Sequence, residues 1–109
     1  MIRFLLPAAL LLSACADVQQ ATDTAGRNAA KTALPEALAI YFPQVPKQLF
    51  QPFTNCVVDN ADASEVQSLA ADAVTGADEN TADTIRSVLA RVETQNCLRA
   101  AAPAALATL

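Results

Sequence analysis

The sequence contains no histidine and no tryptophan, and its only glycines are Gly26 and Gly76. Histidine is the commonest general base and the commonest metal ligand, so its absence argues against most hydrolytic and metal-dependent chemistry. A phosphate-binding loop requires closely spaced glycines, which this chain lacks. We therefore assign no catalytic residue, no cofactor site and no metal ligand, and an enzymatic function is disfavoured.

Basic residues are also scarce. Seven Lys and Arg residues stand against eleven Asp and Glu residues, giving a net charge of −4. An acidic chain is repelled by nucleic acid, so nucleic-acid binding is not expected, and no motif indicates a small-molecule substrate. Alanine is far more abundant than valine or isoleucine, and no stretch alternates apolar and polar residues for long. The composition therefore favours helices over sheets.

The first fifteen residues have the layout of a secretory signal. Arg3 precedes an apolar stretch over residues 4–12, which ends in Leu12-Ser13-Ala14-Cys15. A basic start, an apolar stretch and small residues at its end are typical of an export signal. Nine helical residues rise only about 14 Å, which is less than the ~30 Å of a bilayer core, so this stretch alone does not predict a transmembrane anchor.

Leu12-Ser13-Ala14-Cys15 resembles the lipobox of bacterial lipoprotein precursors. The resemblance implies that residues 1–14 are a signal peptide and that Cys15, as the first mature residue, carries diacylglycerol. Several acyl chains on one residue hold a protein on a membrane, whereas one chain does so only marginally. In many bacteria with two membranes, an Asp directly after this Cys retains the protein in the inner membrane. Ala16 occupies that position, so the resemblance implies the periplasmic face of the outer membrane.

Two cysteines remain once Cys15 carries lipid. Removal of residues 1–14 leaves ninety-five residues, with six basic and eleven acidic side chains and a net charge of −5. In an oxidising envelope compartment, Cys56 and Cys97 are most simply paired in a disulfide. The alternative, a redox-active thiol pair, lacks the usual C-x-x-C spacing. A disulfide closing a loop of this length contributes about 4 kcal/mol in the chain-entropy model, a large share of the stability of a small domain.

The mature chain divides into three parts by composition. Residues 15–33 are polar and alanine-rich, and they predict a tether that is either partly helical or a disordered spacer. Residues 34–99 form the helical domain, which begins at Leu34-Pro35 because proline is well tolerated in the first turn of a helix. Residues 100–109 are a low-complexity tail that we expect to be frayed.

Helix signals recur within the domain. Asp62 and Glu65 have the spacing of a capping box, and Gly76 marks the end of the helix that follows. A last long helix begins at Asn80 or Thr81. Its expected core face contains Ile85, Val88, Leu89 and Val92, whereas Arg86 and Arg91 are expected to point outward. These signals predict an all-α fold: a small bundle of three to five short helices joined by one disulfide, after a lipid-anchored N-terminal tether.

The four aromatic residues of the mature chain lie within thirteen residues, at Tyr41, Phe42, Phe50 and Phe53. The simpler interpretation is that they form the core, because the rest of the domain is rich in alanine. The other interpretation is that part of the segment is an exposed apolar groove for a partner, with Tyr41 and Phe50 as the first residues to test.

Together these features predict a lipid-anchored envelope protein that acts as a binding or assembly module for an envelope partner. In architecture alone, it is similar to pilotins, small lipoproteins that escort secretion-channel subunits to the outer membrane. The alternative is a structural or stress-related envelope lipoprotein with no tight partner. The expected partners are the membrane, through lipid on Cys15, and an envelope protein.

Overall fold

The computed structural model describes the backbone of residues 6–108 and the side chains of residues 23–107. Over the described backbone the chain is all-helical, with six α-helices, one short 3₁₀ turn and no strand. The helices are α1 (Leu6–Tyr41), α2 (Phe50–Asn60), α3 (Ala63–Thr75), α4 (Glu79–Leu89), α5 (Val92–Ala101) and α6 (Pro103–Thr108), and the 3₁₀ turn spans Lys47–Leu49. The predicted all-α fold is confirmed.

The first helix is much longer than expected. The helix start expected at Leu34-Pro35 is wrong, because α1 is one helix of 36 residues that continues through Pro35 and includes residues 15–33. A proline inside a helix removes one hydrogen bond and costs about 3 kcal/mol. The buried stripe on α1 continues on both sides of the proline, through Ala30, Leu34 and Ala37. Packing of this stripe offsets the lost hydrogen bond, so a helix start at Pro35 is not needed.

Small residues on α1 bring it close to α3. A Cβ atom added at Gly26 would lie 3.4 Å from Val66 Cγ1, and one added at Gly76 would lie 3.9 Å from Glu36 Oε1. Both pairs are separated by forty residues in the sequence, so α1 and α3 run side by side in the same direction. With this offset of forty residues, the first residue of α3 lies beside residue 23 of α1. The part of α1 that precedes residue 23 therefore extends past the start of α3.

Five helices contribute large side chains to one core. The largest fully buried side chains include Leu34, Leu38, Phe53, Leu69, Ile85 and Leu98. The segment expected to be a frayed tail also takes part, because Ala102 and Ala105 are buried against this core. The helix α6 begins at Pro103, where the missing backbone donor is harmless.

The positions of the helix ends are determined by capping residues more than by the spacing of apolar residues. The capping box at Asp62 is confirmed, and Gly76 ends α3 with a φ of 96°. The N-cap of α4 is Asp78, not Asn80 or Thr81, because the Asp78 carboxylate accepts a hydrogen bond from the Thr81 backbone N–H at 3.0 Å.

The expected last long helix is two helices. The helix α4 ends at Leu89, and the chain turns through Ala90 and Arg91 before α5 begins. Arg91 has an extended backbone with ψ at 140°, which breaks the helical repeat. Val92 is therefore 65% exposed and does not belong to the core face to which its spacing assigned it.

Candidate functional site

The disulfide joins α2 to α5. The Sγ atoms of Cys56 and Cys97 are 2.05 Å apart, and their Cα atoms are 5.6 Å apart. Cys56 is buried, and Cys97 is half-buried against the same core. The predicted disulfide is confirmed. It fixes α2 to α5, and α2 carries four of the seven residues of the cleft described below.

The aromatic segment is divided between core and surface. Phe42 and Phe53 are buried, with ring centroids 6.4 Å apart and ring planes at 48°. The Arg86 guanidinium lies over the Phe42 ring, 5.4 Å from its centroid. Tyr41, at the end of α1, and Phe50, at the start of α2, are half-buried and pack on the edge of the core. Parts of these two rings remain open to solvent.

A cleft of about 410 Å³ lies beside Phe50, between α1, the 3₁₀ turn and α2; we call it the α1–α2 cleft. Its lining residues are Lys31 and Pro35 from α1, Lys47 from the 3₁₀ turn, and Phe50, Gln51, Thr54 and Asn55 from α2. Pockets that bind small molecules have volumes of roughly 300–1,000 Å³, so the cleft is large enough for a small ligand.

The α1–α2 cleft is lined by positively charged side chains, although the chain as a whole is acidic. Lys31 and Lys47 are the only lysines in the sequence, and both line the cleft. The Lys31 Nζ atom lies 3.3 Å from Asp59 Oδ1. Lys47 is exposed and forms no ion pair with the side chains that the structure describes. One ammonium group at the cleft is therefore without a counter-charge.

Thr54 is an unusual residue of the cleft lining. It is only 4% exposed, and its Oγ1 atom has no hydrogen-bond partner among the described residues. A buried hydroxyl without a partner costs about 1–3 kcal/mol. Thr94 Oγ1, on α5, is also buried without a partner in this part of the chain, but Thr94 does not line the cleft.

The C-terminal end of α2 is held by two arginines. Arg27 Nη1 donates to the carbonyl oxygens of Val58 at 2.5 Å and Ala61 at 3.2 Å. Arg91 Nη1 donates to the carbonyl oxygen of Asn60 at 2.9 Å. The last carbonyls of a helix lack internal partners and carry partial negative charge, so two guanidinium groups there satisfy hydrogen bonds and complement the helix dipole.

Arg91 also binds the start of α3. Its Nη1 atom lies 2.6 Å from Glu65 Oε1, and this hydrogen bond raises the pKa of Arg91. The Glu65 backbone N–H donates to Asp62, and this bond, followed by one from the Ser64 hydroxyl, lowers the pKa of Asp62. The expectation that Arg91 points outward is wrong, because its side chain is 33% exposed and joins the ends of two helices.

The sequence pattern indicates Phe50 as a residue of a binding surface but not the lysines, Thr54 or Asn55. Lys31 and Lys47 are brought together because the chain folds back after α1, and no local spacing predicts this. The signal that was available is compositional, since these are the only two lysines in a chain of net charge −4.

The predicted lipid-attachment site lies outside the described side chains. Cys15 falls within the backbone range of α1, and the signal segment over residues 1–14 lies partly outside the described backbone. Among the described residues, no helix combines the length and the hydropathy needed to cross a membrane, and no cluster of three or more His, Cys, Asp or Glu side chains is arranged to hold a metal ion.

Comparisons of the chain with protein-family models, curated proteins and solved structures found no match.

Proposed function

We propose that this protein is a lipid-anchored component of the cell envelope whose helical bundle binds an envelope protein. The lipobox-like Leu12-Ser13-Ala14-Cys15 supports the anchor, and Ala16 after the cysteine favours the periplasmic face of the outer membrane. The observation that carries the binding role is the incomplete burial of Tyr41 and Phe50. Aromatic residues are enriched in the cores of protein interfaces, and tyrosine is among the residues that dominate their binding energy.

The long first helix supports this arrangement. Cys15 and Tyr41 lie in the same helix, α1, and are separated by twenty-six residues. At 1.5 Å per residue, the helix places them about 39 Å apart. If α1 stands upright on the membrane, a lipid on Cys15 would hold the aromatic surface well away from the lipid headgroups, where a protein partner has access to it.

The anchor is tested by mass spectrometry of the mature N-terminal peptide. The expected peptide begins at Cys15 and carries the added mass of a diacylglyceryl group. In the Cys15→Ala variant we expect no lipid and loss of the protein from the membrane fraction, whereas Ser64→Ala, at an exposed position of α3, should behave as wild type. Cleavage at another position, or an unmodified Cys15, would contradict the proposed anchor.

The binding role is tested by photocrosslinking in cells. A photoreactive residue is placed at Tyr41 or Phe50, and as a control at Ile40, which is 55% exposed and is not among the residues that pack on the core. We expect one defined crosslinked species from the first two positions and none from Ile40. No crosslink at any position, or the same diffuse set of products at all three, would favour an envelope lipoprotein without a tight partner.

A further inference from the structure

We propose that the α1–α2 cleft binds a small organic anion that carries an apolar group. This ligand is separate from the protein partner proposed above, and the site needs neither the lipid nor that partner. The assignment rests on four features of the cleft: its charge, its polar side chains, its apolar surface and its size.

The positive charge of the cleft favours an anionic ligand. The chain has a net charge of −4, yet its only lysines, Lys31 and Lys47, line one cleft. Two lysines that line one concave site create a local positive potential that attracts a carboxylate or a phosphate. Asp59, which pairs with Lys31 at 3.3 Å, is 57% exposed on its side chain and is not among the lining residues. An incoming anion therefore competes with one exposed carboxylate for Lys31 and with none for Lys47.

Polar side chains can orient the bound anion. Gln51 and Asn55 lie one helical turn apart on α2 and both line the cleft, where their amide groups can donate hydrogen bonds. Thr54 lies between them in sequence, and its buried hydroxyl has no partner among the described residues. Because this hydroxyl is buried, a ligand oxygen reaches it only after the Thr54 side chain turns toward the cleft, and it would then give the hydroxyl the hydrogen bond that the described residues do not provide. A buried hydroxyl without a described partner, in a residue of the cleft lining, distinguishes this site from an ordinary surface depression.

The apolar surface and the volume limit the ligand. Phe50 and Pro35 line the cleft from two helices, α2 and α1, and both carry apolar rings. Apolar contact with these rings favours a ligand with an aromatic or aliphatic group attached to its anionic end. A volume of about 410 Å³ accommodates a molecule of this type, whereas inorganic phosphate would leave both rings without contact.

Binding is tested with 3-phenylpropionate as the probe, using the full lipidated chain in nanodiscs of uncharged lipid. Saturation-transfer NMR gives the dissociation constant, and two other probes separate the contributions. The neutral 3-phenylpropionamide removes the charge, and inorganic phosphate removes the apolar group. We expect the carboxylate to bind at least about fivefold more tightly than either, which is the effect of one exposed charge pair or one apolar contact.

Variants distinguish recognition by the cleft from non-specific attraction. Lys47→Gln should weaken binding of 3-phenylpropionate about fivefold, and Arg99→Gln, which changes the net charge equally on an exposed part of α5, should not weaken it. Asp59→Asn should strengthen binding by about twofold to threefold, because it removes the competing carboxylate from Lys31. A purely structural role of these residues would not produce opposite changes in affinity.

Thr54→Val provides a test that separates binding from folding. The substitution keeps the shape of the side chain and removes the hydroxyl, so we expect affinity for 3-phenylpropionate to fall about fivefold while the melting temperature stays the same or rises. The proposal is overturned if wild type shows no saturable binding of 3-phenylpropionate. It is equally overturned if the neutral amide or phosphate binds as tightly, or if Lys47→Gln and Arg99→Gln have the same effect. None of these results bears on the lipid anchor or on crosslinking at Tyr41.

Discussion

The disulfide between Cys56 and Cys97 should supply much of the stability of the bundle. The two cysteines are forty-one residues apart in sequence, and the bridge connects α2 to α5 across the intervening α3 and α4. In the chain-entropy model, closing a loop of this length destabilises the unfolded chain by about 4 kcal/mol. Domains of this size are stable by only about 5–15 kcal/mol in total, so the bridge is a large fraction.

The perturbation is the double variant Cys56→Ala/Cys97→Ala, which removes both thiols and avoids placing a hydroxyl at buried Cys56. For a domain of about 100 residues, 4 kcal/mol corresponds to a decrease in Tm of about 15–30 °C. Thermal unfolding followed by circular dichroism at 222 nm measures this decrease. Reductant should lower the Tm of wild type to about that of the double variant and leave the double variant unchanged.

A decrease in Tm of less than about 5 °C would refute this reasoning. One cause would be residual structure that holds α2 near α5 in the unfolded chain, so that closing the loop removes little conformational entropy. Chemical denaturation separates this case from strain in the folded state, because residual structure lowers the slope of the free energy of unfolding with denaturant.

Three further predictions concern the helix ends. The pKa of Asp62 is lowered in the folded state, so its contribution to stability is present above the unfolded value of 3.8 and is lost as the pH falls through the lower folded value. Asp62→Asn should remove this acid-dependent loss, and a parallel acid-unfolding curve for wild type would contradict the assignment. Arg91→Ala should lower the free energy of unfolding, because Asn60 and Glu65 lose their hydrogen-bond donor, and urea unfolding measures the decrease. Arg99→Ala, at an exposed site, is the control and should change it less. Gly76→Ala should cost about 1–3 kcal/mol in the same assay, because φ is 96° and ψ is 153°, a backbone conformation that residues with a Cβ atom rarely adopt. No loss relative to Gly26→Ala would contradict a conformational cause.

The sequence was informative where a few neighbouring residues decide the outcome. The capping box at Asp62 and the end of α3 at Gly76 were predictable because both depend on contacts within four residues. The pairing of Cys56 with Cys97 was predictable by counting, once Cys15 was set aside. The all-α class was predictable because the composition is rich in alanine and no long stretch alternates apolar and polar residues. Both properties depend on many residues together.

The errors arose where long-range packing overrode a local signal. Pro35 marks a helix start by its own preference, but the alanine stripe on both sides of it is buried against other helices. Val92 continues the apolar spacing of α4, but Arg91, which binds Asn60 and Glu65 of two other helices, adopts an extended backbone. The α1–α2 cleft could not be predicted because its lysines come from separate elements that meet only after the chain reverses.

The continuous helix α1 also determines how mechanical load would pass through the proposed assembly. Cys15 and Tyr41 lie in one helix, so tension between a lipid at the first and a partner at the second runs along a single backbone without crossing the bundle. A load applied through α3 instead reaches the anchor across the contact between α1 and α3. These helices run in the same direction, with Gly26 beside Val66 and Glu36 beside Gly76. That contact is loaded in shear along its whole length, which distributes the force over many small side chains at once.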